Sequence, residues 1–284
     1  MAKELRGKPV ADALTEKLIP RAAALAEQGN TPKLAILRVG ARDDDLSYER
    51  GALKRCASLG IEVESIVLDA DCTQDELMAA IERINSDETI HGCLMFRPLP
   101  KTLDEAAACA ALDPSKDVDC ITSGSLYGVF ANRPVGFAPC TAEAVIELLG
   151  FYGYDLTGAR ATVVGRSLVI GKPVSLMLQN RNATVTMCHT RTKDVASKTK
   201  AAQVVVVAAG HIGTLTADCV REGQTVIDVG TNWSEELQKY VGDSVFDEVE
   251  PIVERITPVP GGVGSVTTAV LAKHVVIAAE RATA

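Results

Sequence analysis

Short apolar runs separated by helical spacings recur along this chain, a pattern that predicts alternating strands and helices. Val10, Leu14 and Leu18 mark one face of an amphipathic helix expected over Met1 to Gln28 and broken near Gly29 and Asn30. Leu34 to Leu37 read as the buried part of a strand from Lys33 to Val39. The polar stretch Gly40 to Ser47, with its three consecutive aspartates, reads as a loop, and Tyr48 to Leu59 as the helix after it. Ile61 to Leu68 alternates as a strand, Thr73 and Glu76 form a capping box for a helix through Ile84, and His91 to Phe96 is a strand stopped by Arg97-Pro98-Leu99-Pro100. This β–α–β–α–β run gives residues 1–120 an α/β layer of their own.

Pro114 to Asn132 carries few periodic signals and ends in Arg133-Pro134, which suggests a functional loop and a domain boundary. Thr141 caps a helix through Leu149 that leads into a second domain. Strands are expected there at Ala161 to Val164, Ala183 to Met187, Gln203 to Val207, Gln224 to Val229 and Arg255 to Ile256. Thr257 to Gly264 is a rigid turn cluster, and Ser265 or Thr267 starts a last helix through Ala279.

Within the second domain, Ala159 to Thr192 reads as strand, glycine loop, helix, strand, with the helix over Lys172 to Gln179 and Pro173 in its first turn. Such a unit presents a helix N-terminus to a phosphate. An NTP-binding P-loop needs four residues between its glycines and then Lys-Ser or Lys-Thr. Here five residues separate Gly165 from Gly171, and Pro173 follows Lys172, so that motif is absent. A dinucleotide site and a plain βα turn both stay open. After the second strand, an NAD site usually carries an acidic residue for the ribose hydroxyls, whereas this chain has Cys188-His189-Thr190-Arg191-Thr192. An arginine with two hydroxyls suits a 2′-phosphate, which favours NADP.

Composition adds mainly exclusions. With 47% hydrophobic and 23% charged residues, the 284-residue chain is ordinary for a globular protein. A net charge of −8 argues against a nucleic-acid partner, since no large basic face is evident. The longest apolar stretch, near Val204 to Ala209, is too short to span a bilayer, and Met1 to Asn30 has no signal-peptide core, so no membrane association and a cytoplasmic location are expected. The eight cysteines are scattered without a CxxC pair, against a zinc knuckle or a disulfide framework. Cys188 and His189 point to opposite faces of a strand, so no metal is expected there.

Taken together, GRSLVIGKP (165–173), ATVTMCHTRT (183–192), DVGTN (228–232), VGD (241–243), TPVPGGVG (257–264), KDVD (116–119) and PCT (139–141) resemble the methylenetetrahydrofolate dehydrogenase/cyclohydrolase (FolD) family, in order and over nearly the whole chain. The resemblance implies two α/β domains flanking a folate cleft. One comprises residues 1–138 plus 266–284, and the other, residues 139–265, is a Rossmann-like NADP-binding domain. It also implies a homodimer, oxidation of 5,10-methylenetetrahydrofolate with NADP, and hydrolysis of the methenyl product to 10-formyltetrahydrofolate. Carried over by position, Gly165, Arg166, Ser167, Gly171 and Thr231 line the cofactor, with Arg166, Thr190 and Arg191 around its 2′-phosphate. Thr190 stands where the family commonly has serine. Asp119 binds the pterin, Tyr48 stacks on the benzoyl ring, and Pro260, Gly261 and Gly262 shape the pocket wall.

Four positions depart from the family pattern. The lysine expected four residues after the tyrosine, which activates water in the hydrolase step, is Ala52, and the glutamine that supports it is Phe96. Asp45 replaces a serine and Cys120 a glycine. Lys54, the nearest lysine, points elsewhere, because six residues rotate it about 240° from Tyr48 on a helix, against about 40° for four. Hydride transfer is driven by the substrate's own nitrogen lone pair, whereas hydrolysis needs proton transfers. The expectation is therefore an NADP-dependent dehydrogenase with a weak or lost cyclohydrolase step. The alternatives are a bifunctional enzyme using Asp45, Lys54 or Asp119 as acid/base, and a folate- and NADP-binding protein without turnover.

Overall fold

In the computed structural model, which describes residues 1–283, the strands fall into two parallel sheets and one small hairpin. The first sheet has the order Glu62–Leu68, Lys33–Val39, Gly92–Met95. Its central strand holds Leu34, Ala35, Ile36 and Leu37 at 0% exposure, as expected where helices cover both faces of a parallel sheet. Leu77, Ile81 and Ile84 of the helix Gln74–Ser86 pack into this core, and the Thr73–Glu76 capping box that starts the helix is formed.

The second sheet runs Lys3–Glu4, Arg255–Ile256, Thr225–Asp228, Val204–Val207, Arg160–Val164, Thr184–Cys188, all parallel. Its centre is the four-valine strand Val204–Val207, fully buried. The chain accordingly divides into two units. One comprises Met1–Asp12 and Thr141–Thr267, the other Ala13–Cys140 and the chain from Thr268 onward. This differs from the expected division at the N-terminus. Lys3 and Glu4 form a two-residue strand in register with Arg255 and Ile256, so the first dozen residues belong to the unit of the six-stranded sheet. The helix expected from Met1 therefore starts only at Gly7 and runs to Glu27.

Three further expectations are corrected. The helix bearing Tyr48 spans Asp43–Ala57, and the three aspartates, expected in a loop, form its first turn. Their carboxylates sit at the positive end of the helix dipole, while Lys54 and Arg55 occupy the last turn. The region Pro114 to Asn132, expected as a loop, contains the helix Ser123–Ala131, whose N-cap Thr122 accepts a hydrogen bond from the Ser125 N–H at 3.1 Å. A seven-residue helix, Glu105–Ala111, capped by Asp104, was not expected at all.

The loop before Thr122 is pinned at two points. The Lys116 ammonium donates to the carbonyls of Ile84, Asn85 and Asp87 at 2.6, 2.9 and 2.7 Å, closing the C-terminal end of the helix Gln74–Ser86. Asp117, fully buried, accepts from the N–H groups of Ile121 and Thr122 at 2.9 and 2.8 Å. Lys116→Met, which keeps the stem and removes the donors, is expected to lower stability by about 2 kcal/mol, measurable by urea unfolding. An unchanged midpoint would show that the three carbonyls are satisfied without it.

Candidate active site

The helix Asp43–Ala57 is held on the smaller sheet by a buried ion pair. Glu49, 7% exposed, accepts from Arg38 Nε at 3.0 Å and from Ser65 Oγ at 2.8 Å, and Arg38 also donates to the Gly40 carbonyl. Both carboxylate oxygens are thus satisfied, the condition under which a buried charge is tolerated. The pair sets the rotation of the helix, so that Asp45, Glu49, Ala52 and Cys56 form its buried face. Ala52 is at 0% exposure and Lys54 is exposed, as the helical geometry predicts. Tyr48 is half-buried, and the ring of Phe96 meets it edge-on, with centroids 5.9 Å apart. Burial pushes the Tyr48 phenol well above its ordinary range, with the neighbouring Cys140, Asp119 and Cys56 acting in the same direction. Asp45, one turn before Tyr48, is raised by burial and partly held down by Arg42 at 3.8 Å.

Asp119 lies in the same unit, half-buried between the pinned Asp117 and the helix starting at Ser123. Its Oδ1 accepts the Cys140 N–H at 3.0 Å. Burial raises its pKa, and that hydrogen bond works against the rise. Cys120, where the resemblance implies glycine, keeps the left-handed backbone at φ +61°. For a side chain with a Cβ this conformation costs about 1 kcal/mol. Tyr48, Asp119, Ala52 and Phe96 are therefore gathered in one unit.

The other unit gathers the second set. The strand Arg160–Val164 leads into the loop 165–170 and the helix Gly171–Gln179. Gly165 adopts φ +138°, and a Cβ there would run into the Ala208 carbonyl oxygen, while a Cβ on Gly171 would strike the Gly165 carbonyl. The loop thus closes by backbone-to-backbone contact, and the helix N-terminus behind it is of the kind that can face a phosphate group. Arg166 and Ser167 are exposed on it. Ser167 Oγ accepts from Ile170 N–H at 3.1 Å, so its oxygen also stabilises the loop. After the strand Thr184–Cys188, a tight turn carries exposed Thr190 and Arg191 at its tip, braced by His189 N–H to Thr192 Oγ1 at 2.9 Å and Arg191 N–H to His189 Nδ1 at 3.1 Å. Thr231 is exposed just before the strand Asn232–Ser234. Pro260 and Gly261 are exposed and Gly262 is buried; Gly261 accepts the Gly7 N–H at 2.8 Å. Of these, the glycine cradle and the exposed Arg166, Thr190 and Arg191 have the chemistry that phosphate groups call for.

Two aspartates that sequence reasoning treated only as motif letters hold this unit's loops. Asp243 accepts from the N–H groups of Ala209, Gly210 and His211 and from Asn232 Nδ2. Asp228 accepts from Gly230, Asp243 and Ser244 N–H. The signal was present as Asp228-Val-Gly230 and Gly242-Asp243, where a glycine beside each acid lets backbone approach a carboxylate. Burial raises Asp228 to about 6. Among the described residues no group of three His, Cys, Asp or Glu is placed to hold a metal, and no helix is long and apolar enough to cross a membrane.

A six-stranded parallel sheet with a glycine cradle, joined in one chain to a second α/β unit carrying a half-buried tyrosine and aspartate, defines a two-unit α/β enzyme with an NAD(P)-binding domain. The description "Tetrahydrofolate dehydrogenase/cyclohydrolase, NAD(P)-binding domain" matches residues 139–283, and "Tetrahydrofolate dehydrogenase/cyclohydrolase, catalytic domain" matches residues 5–119. The chain belongs to the tetrahydrofolate dehydrogenase/cyclohydrolase family. It is 51% identical over 281 residues to the bifunctional protein FolD of Carboxydothermus hydrogenoformans, covering 99% of this chain and 98% of the relative. Among solved structures, it resembles the bifunctional FolD of Campylobacter jejuni (36% identity, 99% of each chain, TM-score 0.95). It also resembles the Trypanosoma brucei methylenetetrahydrofolate dehydrogenase-cyclohydrolase complexed with NADP and an inhibitor (35% identity, 99% and 98% coverage, TM-score 0.93).

Two outcomes are expected. Gly171→Ala should weaken cofactor binding about tenfold or more, read by titration, because the loop must open to admit the methyl group. Unchanged binding would mean that the loop yields freely. Asp228 holds its proton up to about 6 when folded, against 3.8 ordinarily, so between those values the folded state binds more protons than the unfolded chain. Its contribution to stability therefore falls as pH rises through that window. The stability advantage of the wild type over Asp228→Asn should shrink from pH 4 to pH 6 in denaturant titrations, and an advantage that grows would contradict the assignment.

Proposed function

We propose that this protein is an NADP-dependent 5,10-methylenetetrahydrofolate dehydrogenase whose cyclohydrolase step is weak or lost. The observation that carries the second half is the apolar surrounding of Tyr48: Ala52 is fully buried on the same helix face, and Phe96 packs edge-on against the phenol. Neither position holds a group that can take a proton from water or return one to a leaving nitrogen, and Lys54 faces solvent. The two changes support one another. A lysine beside a phenylalanine would lack the polar partner a buried ammonium needs, whereas alanine and phenylalanine together leave nothing unsatisfied.

The dehydrogenase half asks less of the protein. Tyr48 offers a ring face to an aromatic group, and burial keeps its phenol protonated. Asp119 offers a carboxylate oxygen to the N–H groups of the pterin. Bound NADP supplies the hydride acceptor. Arg166, Thr190 and Arg191 hold its 2′-phosphate, a choice supported by the absence of an acidic residue after the strand Thr184–Cys188 and by the related trypanosomal structure described with NADP.

A second reading keeps both reactions. Asp45 lies seven residues before Ala52 on the same buried face, and its pKa is raised, as suits a general base. It is the one substitute carboxylate on that face without an ion-pair partner as close as that of Glu49.

Ala52→Lys combined with Phe96→Gln is expected to raise methenyltetrahydrofolate hydrolysis by about 100-fold, within the usual span for an acid–base group, with dehydrogenation little changed. No gain, together with loss of hydrolysis in Asp45→Asn, would favour the second reading. Arg191→Ala should weaken NADP by about 10- to 100-fold and leave NAD nearly unaffected in steady-state assays. Equal losses for both cofactors would remove Arg191 from the 2′-phosphate site.

A further inference from the structure

Behind Asp119 lies a buried cluster to which the chemistry above gives no role. Cys140 is the first residue of the helix Cys140–Phe151 and is fully buried; His274, on the helix Gly264–Ala282, is 1% exposed. His274 Nδ1 lies 2.8 Å from the Val118 carbonyl oxygen. A carbonyl only accepts, so Nδ1 carries the hydrogen and donates it. The Cys140 thiol donates to the same oxygen at 3.3 Å, and the two donors stand 3.6 Å apart. Val118 is the residue before Asp119, and the Cys140 backbone N–H donates to Asp119 Oδ1 at 3.0 Å. The peptide entering Asp119 and the side chain of Asp119 are thus gripped by adjacent groups of one cluster.

The imidazole is itself held in place. The Phe137 ring packs on it with centroids 4.9 Å apart and planes 31° from parallel, and the Arg281 guanidinium lies 4.4 Å from the Phe137 centroid. Arg281 also donates to the Gly136 carbonyl at 2.9 Å. Without the cluster, the Val118 carbonyl would be a buried acceptor with no donor, and the 118–119 peptide would be free to rotate. Because Oδ1 is bound to the first N–H of a helix, a small rotation of that peptide would carry the carboxylate away from a substrate while leaving the fold intact.

We infer that His274 and the Cys140 thiol are positioning residues for Asp119: they donate together to the Val118 carbonyl and so fix the direction in which the Asp119 carboxylate meets the folate. This rests on the reading of Asp119 as the pterin-binding group. Neither residue touches substrate; both act through the backbone. The arrangement separates two tasks, with the Cys140 N–H fixing one carboxylate oxygen and the side chains fixing the peptide that carries it. Asparagine at 274 can place an amide N–H where imidazole Nδ1–H lies, whereas alanine cannot.

The test is a cycle of dehydrogenase kinetics on full-length His274→Ala, His274→Asn, Asp119→Asn and the double variant His274→Ala with Asp119→Asn. His274→Ala is expected to raise KM for methylenetetrahydrofolate about tenfold while KM for NADP stays unchanged, and His274→Asn should recover to within about threefold of wild type. In the Asp119→Asn background, His274→Ala should add little, since the group it positions has lost its function. Full additivity, equal changes in both KM values, or an asparagine variant as poor as alanine would overturn the inference. If Asp119→Asn alone leaves the folate KM unchanged, the reading of Asp119 fails and the inference with it. If Asp119→Asn raises it and His274→Ala does not, only the inference fails. Should His274→Ala not fold, Cys140→Ser against Cys140→Ala asks the same question: serine keeps the donor and should stay near wild type, while alanine should raise the folate KM by about threefold. Equal values for the two would overturn the role of the thiol.

Discussion

The ion pair between Glu49 and Arg38 decides what chemistry the unit of the three-stranded sheet can offer. It is buried, its carboxylate is satisfied on both oxygens, and it ties the helix Asp43–Ala57 to the central strand of the sheet at one angle of rotation. The Glu49 carboxylate is buried and would be left unpaired if the helix turned, which opposes bringing another residue inward. Ala52 therefore stays on the buried face and Lys54 stays in solvent. On the helix itself, the proton-carrying group on the buried face that lacks a close ion-pair partner is Asp45.

The nucleotide-binding unit follows a different logic, in which backbone does most of the holding. Gly165 and Gly171 let main chain touch main chain, and Asp228 and Asp243 collect six backbone N–H groups between them, so the loops around the cofactor site are fixed without large side chains. Arg166, Thr190 and Arg191 are left exposed on this frame. Hydride transfer asks chiefly for such placement, and hydrolysis asks for mobile protons. On the reading proposed above, the chain keeps what the first demand needs, and Ala52 and Phe96 stand where the second would be met.

Much of this was legible beforehand because it follows from local rules. The strand Lys33–Val39, the capping box at Thr73, the glycine loop after Val164 and the helical separation of Tyr48 from Lys54 all depend on spacing over a few residues. Missed features depended on partners distant in sequence or on very short elements. Lys3 and Glu4 become a strand only because Arg255 and Ile256 lie beside them. The aspartates at 43–45 look like a polar loop until they are seen to complement the N-terminus of a helix. The helices Glu105–Ala111 and Ser123–Ala131 are too short and too rich in alanine, serine and glycine to show a clear apolar stripe. Asp119 was identified through its motif, yet the Cys140 and His274 contacts behind it join residues 22 and 156 positions apart along the chain to Val118, beyond the reach of any periodicity.

We propose that the two reactions of the family have come apart in this chain. It is tested most directly by one progress curve with the unmodified protein, NADP and 5,10-methylenetetrahydrofolate, following NADPH and methenyltetrahydrofolate together. Methenyltetrahydrofolate is expected to accumulate mole for mole with NADPH and to decay only at the rate seen without protein. Conversion to 10-formyltetrahydrofolate as fast as NADPH appears, with no build-up of the methenyl form, would contradict it.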